Sequence, residues 1–215
     1  MSDSRSGSPA FPIAVLISGG GTTLQNLIDR IAAGTLPVRI VQVISSRSNV
    51  AGVERARKAG LPVEVIERKS FASIEAFSER TFDVCRAAGA RLICFGGYLQ
   101  LLKIPPDFRG KVLNIHPALL PGFGGKGMYG QHVHEAVLKS GAKVTGCTIH
   151  VVDDQYDHGS IVAQRTVELK PNDTPESLAA RVFEQECELY PEVIRAFVEG
   201  RISVDGREVR IRNSA

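Results

Sequence analysis

The hydrophobic residues of the first hundred positions form short aliphatic runs that alternate with helical patterns. Residues 13–17 are continuously aliphatic and end in a serine and three glycines, which is typical of a strand buried on both faces. From residue 22 to residue 33 apolar side chains instead recur every three or four positions, and Gly34 ends the predicted helix. This alternation predicts a mostly parallel, Rossmann-like α/β sheet with helices on both faces. The predicted strands are 13–17, 39–44, 61–66 and 91–95, and the predicted helices are 22–33, 51–59 and 71–88.

The pattern changes in the second half of the chain. A short strand at 111–115 and a helix at 131–140 precede two longer strands, 144–152 and 161–169, which we predict to pair antiparallel. Thr174 and Pro175 are favourable residues for starting a long helix that runs to about residue 199, and Asp205-Gly206 predicts a final hairpin. Because we find no repeat or long polar linker, we expect a flexible tail at residues 1–10 and one domain at residues 11–215.

Composition excludes several classes of function. No apolar run reaches the roughly 18 residues of a membrane-spanning helix, and the first residues lack the pattern of a signal peptide. The 26 basic and 23 acidic residues are mixed, and a net charge of +3 does not favour nucleic acid. Four scattered cysteines without a CxxC pair favour reduced thiols. We therefore expect a cytoplasmic protein with small-molecule ligands and without nucleic-acid or membrane partners.

A glycine-rich turn, Ser18-Gly-Gly-Gly-Thr-Thr-Leu24, joins the first predicted strand to the first helix. Glycines allow close approach of the backbone to a ligand, and the amides of a helix N-terminus attract an anion. A dinucleotide site is disfavoured, because Leu24 replaces the third glycine and the second strand does not end in an acid. The turn favours a site for a single phosphate group, and a tight turn without a ligand is the alternative.

Asn114 and His116 lie two positions apart at the end of a predicted strand, so their side chains share a face. A carboxamide can donate a hydrogen bond to a developing oxyanion, and an imidazole can transfer a proton near neutral pH. The pair therefore suits addition to a carbonyl group. A buried histidine that bonds to the backbone is equally compatible with this spacing.

Two polar loops complete the candidate chemistry. Three aspartates in the turn 153–159 can hold a metal, cap the turn or pair with a histidine, although no EF-hand pattern accompanies them. The loop 122–130 contains five glycines and precedes His132 and His134. Such a loop either closes over a ligand or is a long surface loop, and the two histidines lack a third ligand for a zinc site.

Five segments together resemble the phosphoribosylglycinamide formyltransferase family. They are Val15-Leu-Ile-Ser-Gly-Gly-Gly-Thr-Thr-Leu-Gln25, Gly97-Tyr-Leu-Gln-Leu-Leu102, Leu113-Asn-Ile-His-Pro-Ala-Leu-Leu-Pro121, Gly146-Cys-Thr-Ile-His150 and Asp154-Gln-Tyr-Asp-His-Gly159. Methionyl-tRNA formyltransferase and formyltetrahydrofolate deformylase share the Asn-x-His pattern and the later aspartate, but each is expected to carry a further domain. The first glycine turn resembles the phosphate loop of the glycinamide enzymes.

The resemblance implies a formyltransferase-type fold, with an antiparallel portion in the C-terminal half. It also implies metal-free transfer of a formyl group from 10-formyltetrahydrofolate to the amine of glycinamide ribonucleotide, by a monomer or homodimer. By similarity, His116 is the general acid/base, Asn114 the oxyanion donor and Asp157 the acid that raises the pKa of the imidazole. The implied ribonucleotide contacts are Gly21, Thr22, Thr23, His132, His134 and Glu186. The implied folate contacts are Tyr98, Leu99, Gln100, Leu101, Leu102, Asn114, Val152, Asp153 and Asp154.

The chain departs from the family pattern at two positions. Ile74 and Gln100 stand where basic residues near the glutamate tail of the folate are usual. Two other functions remain as alternatives. One is a hydrolase that releases formate from the same folate, and the other is a non-catalytic module that binds a nucleotide on the glycine-rich turn.

Overall fold

Five parallel strands form most of a seven-stranded sheet in the computed structural model, which describes residues 10–212. The strand order is β3-β2-β1-β4-β5-β6-β7, and a separate hairpin follows the last helix. In chain order the elements are β1 (Phe11–Ile17), α1 (Thr22–Ala32), β2 (Val38–Ser45), α2 (Ala51–Lys58), β3 (Val63–Val65), α3 (Ile74–Ala87), β4 (Leu92–Phe95), β5 (Val112–His116), α4 (Gln131–Lys139), β6 (Val144–Val151), β7 (Ile161–Glu168), α5 (Pro175–Val198), β8 (Ile202–Asp205) and β9 (Glu208–Ile211).

Helices cover both faces of the sheet, as the aliphatic runs predict. In β1, residues 13, 15 and 17 pack on one face and residues 14 and 16 on the other, and all five are fully buried. Side chains from α1, α2, α4 and α5 join the first of these two cores, and α3 supplies much of the second. A strand with both faces covered has no position for a polar side chain, which explains the continuous aliphatic sequence.

The antiparallel part of the sheet joins the two halves of the chain. β6 pairs antiparallel with β5 on one side and with β7 on the other, which confirms the predicted antiparallel portion. In the β5–β6 register Asn114 lies opposite His150 and His116 lies opposite Thr148. One sheet therefore continues from the glycine-rich turn to the residues that follow β6.

Some predicted boundaries differ from the observed ones. α3 begins at Ile74 and not at Phe71, because the Ser73 hydroxyl accepts a hydrogen bond from the Ala76 amide at 3.1 Å and caps the helix. Phe71 instead packs edge-on against Phe77, with ring centroids 5.7 Å apart. The predicted hairpin forms as β8–β9. Nine of the ten residues of the predicted N-terminal tail lie outside the described residues.

Within residues 10–212, none of the helices combines the length and the apolar composition that a membrane crossing requires.

Candidate active site

A cleft of about 700 Å³ lies at the carboxyl ends of β1, β4 and β5. Loops at this edge of an open α/β sheet form the usual ligand site. The turn after β1, the loop 122–130, the turn after β6 and the helix α5 complete its walls. The predicted site residues that line it are Thr22, Thr23, Tyr98, Leu99, Asn114, His116, His134, Asp157 and Glu186.

The glycine-rich turn presents the N-terminus of α1 to this cleft. Gly21 precedes the helix with φ of 70°, and a Cβ atom there would lie 2.6 Å from the Cα atom of Gly52. The close packing of these two backbones therefore requires glycine at position 21. Arg55 donates to the Gly20 carbonyl at 3.0 Å and fixes the turn. The helix amides and the Thr22 and Thr23 hydroxyls form a wall suited to an anion, and Gly21 itself does not line the cleft.

The Asp157 carboxylate brings the three predicted catalytic residues together. Its Oδ2 accepts a hydrogen bond from the Gly125 amide at 2.9 Å and lies 3.5 Å from Nδ1 of His116. Its Oδ1 accepts from Nδ2 of Asn114 at 3.4 Å and lies 3.5 Å from Nε2 of His150. An amide donor, an imidazole and a carboxylate thus face one point at the end of the cleft, which is the set that acyl transfer requires.

His150 is a member of this cluster to which the sequence assigned no role. Its Nε2 accepts a hydrogen bond from Nδ2 of Asn114 at 3.0 Å, since Nδ1 lies 3.1 Å from the Val151 carbonyl and carries the proton. The two N–H groups of Asn114 therefore point to His150 and Asp157. The bond to Asp157, at 3.4 Å, is longer and therefore weaker than the 3.0 Å bond to His150.

Comparison with known proteins identifies the family. The profile described as formyl transferase matches residues 12–194. Phosphoribosylglycinamide formyltransferase of Haemophilus influenzae is 39% identical over 192 residues, which are 88% of this chain and 88% of that protein. The structure of glycinamide ribonucleotide transformylase 1 from Symbiobacterium toebii matches with a TM-score of 0.89 and 39% identity over 96% of each chain. This chain belongs to the formyl transferase family.

Within the family, the chain lies among the phosphoribosylglycinamide formyltransferases, and the resemblance seen in the sequence is confirmed. The chloroplastic phosphoribosylglycinamide formyltransferase of Arabidopsis thaliana is 42% identical over 193 residues. The chain spans 66% of the length of that plant relative.

Burial and charge act in opposite directions on the pKa of His116. Burial lowers the pKa of His116 below its usual value, and this outweighs Asp157 and the Phe123 carbonyl, which raise it. Asp157 thus raises the pKa of the imidazole, in the direction that the resemblance implies, but burial is the larger effect. Nε2 lies 2.8 Å from the Phe123 carbonyl and donates to it, which leaves the Nδ1 lone pair toward Asp157. A neutral imidazole in this position is a base, and the carboxylate stabilises the cation that forms when it takes a proton.

We expect an NMR titration of the His116 ring to give a midpoint below about 6.5, the ordinary value for histidine. Asp157→Asn should move this midpoint to still lower pH, because the carboxylate is one of the groups that raise the pKa. Comparison with His116→Gln assigns the resonance. A midpoint above 6.5, or an upward movement in Asp157→Asn, would contradict this account of the site.

Asp157 itself stays ionised at neutral pH. Burial is the largest influence and raises its pKa, but the nearby rings of His150 and His116 and the Gly125 amide together lower it below the usual value. The backbone of Asp157 has a φ of 50°, which is uncommon for a residue other than glycine. The carboxylate is thus held by several contacts at a strained position, as is common for functional residues.

Glu186 and the two histidines of α4 differ in their access to the cleft. Glu186 faces it from α5, and burial alone raises its pKa to about 8. His134 is buried in the wall, where burial and then the nearby His116 lower its pKa, and its Nδ1 has no hydrogen-bond partner among the described residues. His132 is exposed, contacts Glu135 and Tyr129, and does not line the cleft.

The predicted folate residues do not all meet in this cleft. Tyr98 and Leu99 line it, and the buried hydroxyl of Tyr98 has no hydrogen-bond partner within residues 10–212. Leu102 is buried in the second core, and Gln100 and Leu101 do not line the cleft. Asn114 lines the cleft as well. The other three predicted contacts, Val152, Asp153 and Asp154, line a second cavity of about 420 Å³.

The aspartates of the turn after β6 have separate structural partners. Oδ1 of Asp154 accepts from the Ile104 amide at 2.8 Å, and Oδ2 of Asp153 lies 2.7 Å from Nδ1 of His158. These bonds cap and anchor the turn, whereas Asp157 alone of the three aspartates faces Asn114 and His116. Within the described part of the chain, no group of three histidine, cysteine or acidic side chains is arranged to hold a metal ion.

Proposed function

We propose that the protein transfers the formyl group of 10-formyltetrahydrofolate to the primary amine of 5-phosphoribosylglycinamide. The products are N-formylglycinamide ribonucleotide and tetrahydrofolate, an early step of purine (IMP) synthesis. The observation that carries the proposal is that Asn114, His116 and Asp157 meet in the same cleft that Thr22 and Thr23 of α1 line. In this arrangement the α1 turn binds the phosphate of the ribonucleotide, and the cluster faces the formyl carbonyl of the folate.

The ribonucleotide binds through its phosphate at the N-terminus of α1. The helix amides and the hydroxyls of Thr22 and Thr23 donate to the phosphate oxygens, and the helix dipole favours the negative charge. Glu186 lies on the same cleft and binds the amine. The folate enters beside Tyr98 and Leu99, whose side chains supply an apolar wall. Holding the amine next to the formyl carbon supplies part of the rate acceleration.

The reaction proceeds through addition of the amine to the formyl carbonyl. The nitrogen lone pair forms the new C–N bond while the carbonyl electrons move to oxygen, and Nδ2 of Asn114 donates to the resulting oxyanion. Neutral His116 takes the proton that the amine loses, and Asp157 at 3.5 Å stabilises the imidazolium. The oxyanion then re-forms the carbonyl as the C–N10 bond breaks, and the imidazolium passes its proton to N10 of the folate, which regenerates neutral His116.

A spectroscopic assay of folate product formation, with and without glycinamide ribonucleotide, tests this proposal. The proposed transferase forms tetrahydrofolate only when the amine is present. Folate turnover that is independent of the amine would contradict the transferase and support the hydrolase. Binding of the ribonucleotide without folate turnover would support the nucleotide-binding module.

We expect Glu186→Gln to raise the KM for the ribonucleotide about tenfold, because the carboxyl partner of the amine is lost. The same change should stabilise the empty protein at pH 8. Between the ordinary pKa of 4.5 and the folded value of about 8, the unfolded chain is ionised while the folded protein holds a proton. Stability therefore falls as pH rises through this range, and glutamine removes that loss.

The measurement is Tm at pH 4.5 and pH 8, with Glu184→Gln on the exposed face of the same helix as the control. The Glu186 variant should exceed the unsubstituted protein by about 3 °C or more at pH 8 and by little at pH 4.5. An equal Tm difference at both pH values would contradict the raised pKa of Glu186 in the folded protein.

We further propose that the protein works in the cytoplasm on two small-molecule substrates, without nucleic acid or a membrane. The four cysteines are free thiols, and burial raises the pKa of Cys85, Cys94 and Cys147 to about 12, which suits a reducing compartment. We propose that the protein acts as a monomer or a homodimer.

A further inference from the structure

The C-terminal hairpin contacts the turn that carries Asp157. In the β8–β9 turn, Nη2 of Arg207 donates to Nε2 of His158 and lies 3.4 Å from the His158 carbonyl oxygen. Beside it, the Ser160 hydroxyl donates to the Gly206 carbonyl at 2.9 Å. Two neighbouring contacts thus join the end of the hairpin to the residues that directly follow Asp157.

A chain of hydrogen bonds continues from Arg207 across the turn. Because Nε2 of His158 accepts from the guanidinium, its Nδ1 carries the proton and donates to Oδ2 of Asp153 at 2.7 Å. The other carboxylate oxygen of Asp153 accepts from the Gln155 amide at 2.9 Å. The chain of bonds from Arg207 through His158 to Asp153 therefore links the two ends of the turn, residues 153–159.

The position of Asp157 in this turn is sensitive to the contacts around the turn. Residues 154–156 are exposed, and Asp157 holds an uncommon positive φ. The distances from Asp157 to Nδ2 of Asn114, 3.4 Å, and to Nδ1 of His116, 3.5 Å, are already long for polar contacts. A shift of the turn by a few tenths of an ångström would weaken both contacts.

We propose that Arg207 is a positioning residue for catalysis, which acts through His158 and Asp153 to hold Asp157 against Asn114 and His116. Arg207 borders the second cavity and does not line the catalytic cleft, so it acts on the reaction without touching the substrates. This inference rests on the proposed function for its kinetic consequences, and on the hydrogen-bond geometry alone for its structural ones.

The kinetic test compares Arg207→Ala with Arg210→Ala. Arg210 lies on the same hairpin, is mostly exposed and pairs only with the exposed Glu208 among the described residues, so it is a matched control. Arg207→Ala should lower kcat about tenfold, since small misplacements of catalytic groups cost large factors in rate, and leave the ribonucleotide KM within twofold. Arg210→Ala should leave both constants unchanged.

Conservative variants separate positioning from general destabilisation. Arg207→Lys retains a donor toward His158 and should recover part of the lost kcat. His158→Gln can donate to Asp153 and accept from Arg207 through one carboxamide, so it should retain more activity than His158→Ala. Equal kcat for Arg207→Ala and Arg210→Ala, or equal losses for Gln and Ala at position 158, would overturn the proposal.

Hydrogen exchange gives a readout that does not depend on any activity. Arg207→Ala should increase the exchange rate of peptides that cover residues 153–159 by at least threefold and leave those that cover the α1 turn unchanged. If the unsubstituted protein lacks transferase activity but this exchange effect is present, the proposed function fails and the positioning role stands. Unchanged exchange in residues 153–159 would overturn the positioning role itself.

Discussion

Asp157→Asn is expected to lower kcat for formyl transfer by about 10³-fold, within the range typical of acid–base groups. The carboxylate is the group that faces His116 and Asn114 at the same time. Asparagine is nearly the same size, but it is neutral and cannot stabilise the imidazolium that forms when His116 takes the amine proton. The KM for the ribonucleotide should change by no more than about twofold, because the phosphate and amine contacts lie elsewhere in the cleft.

Steady-state kinetics test this prediction, with Asp107→Asn as the control for Asp157→Asn. Asp107 is an exposed aspartate that pairs with Arg86 at 2.8 Å outside the cleft, so its variant should retain full activity. A loss in the Asp157 variant that appears only in KM would contradict the role in catalysis. Retention of more than a tenth of the kcat would do so as well.

Asn114→Ala is expected to lower kcat by about 10²- to 10³-fold, the usual cost of removing one oxyanion donor. The substitution also leaves Nε2 of buried His150 without its 3.0 Å donor, so the free energy of unfolding should fall by about 1–3 kcal/mol. Single-turnover rates and denaturant unfolding measure the two effects separately.

A second variant at position 114 tests the direction of the hydrogen bond. Asn114→Asp keeps the shape but replaces the donor by an acceptor that faces the Asp157 carboxylate, and it should be at least as inactive as Asn114→Ala. Because both residues serve one step, the double variant with Asp157→Asn should lose much less than the product of the two single losses. Full additivity, or near-normal activity of Asn114→Asp, would contradict the oxyanion role.

Local sequence patterns predict the elements of the fold because burial determines them. The aliphatic run of β1, the capped start of α5 and the Asp205-Gly206 hairpin each follow from the residues of one short segment. The boundaries of α3 were less accurate, since apolar spacing alone does not distinguish Phe71, which packs beside the helix, from residues within it.

The site is only partly accessible to such reasoning, because it depends on contacts between distant segments. His150 joins the cluster through the antiparallel register that places it opposite Asn114, and no local pattern specifies that register. The pKa of His116 depends on a balance between burial and Asp157, and only the folded structure shows that burial is the larger effect. The sequence also does not show where a side chain points. Leu102 is buried in the core and His132 is exposed, so neither of them lines the cleft.

The fate of a labelled formyl group tests the central claim most directly. The protein would be supplied with 10-formyltetrahydrofolate that carries ¹³C in the formyl carbon, together with glycinamide ribonucleotide, and the products would be followed by ¹³C NMR. The account predicts that the label appears in the amide of N-formylglycinamide ribonucleotide, and that Asp157→Asn slows its appearance by about 10³-fold. Label that accumulates as free formate, at the same rate with and without the ribonucleotide, would contradict it.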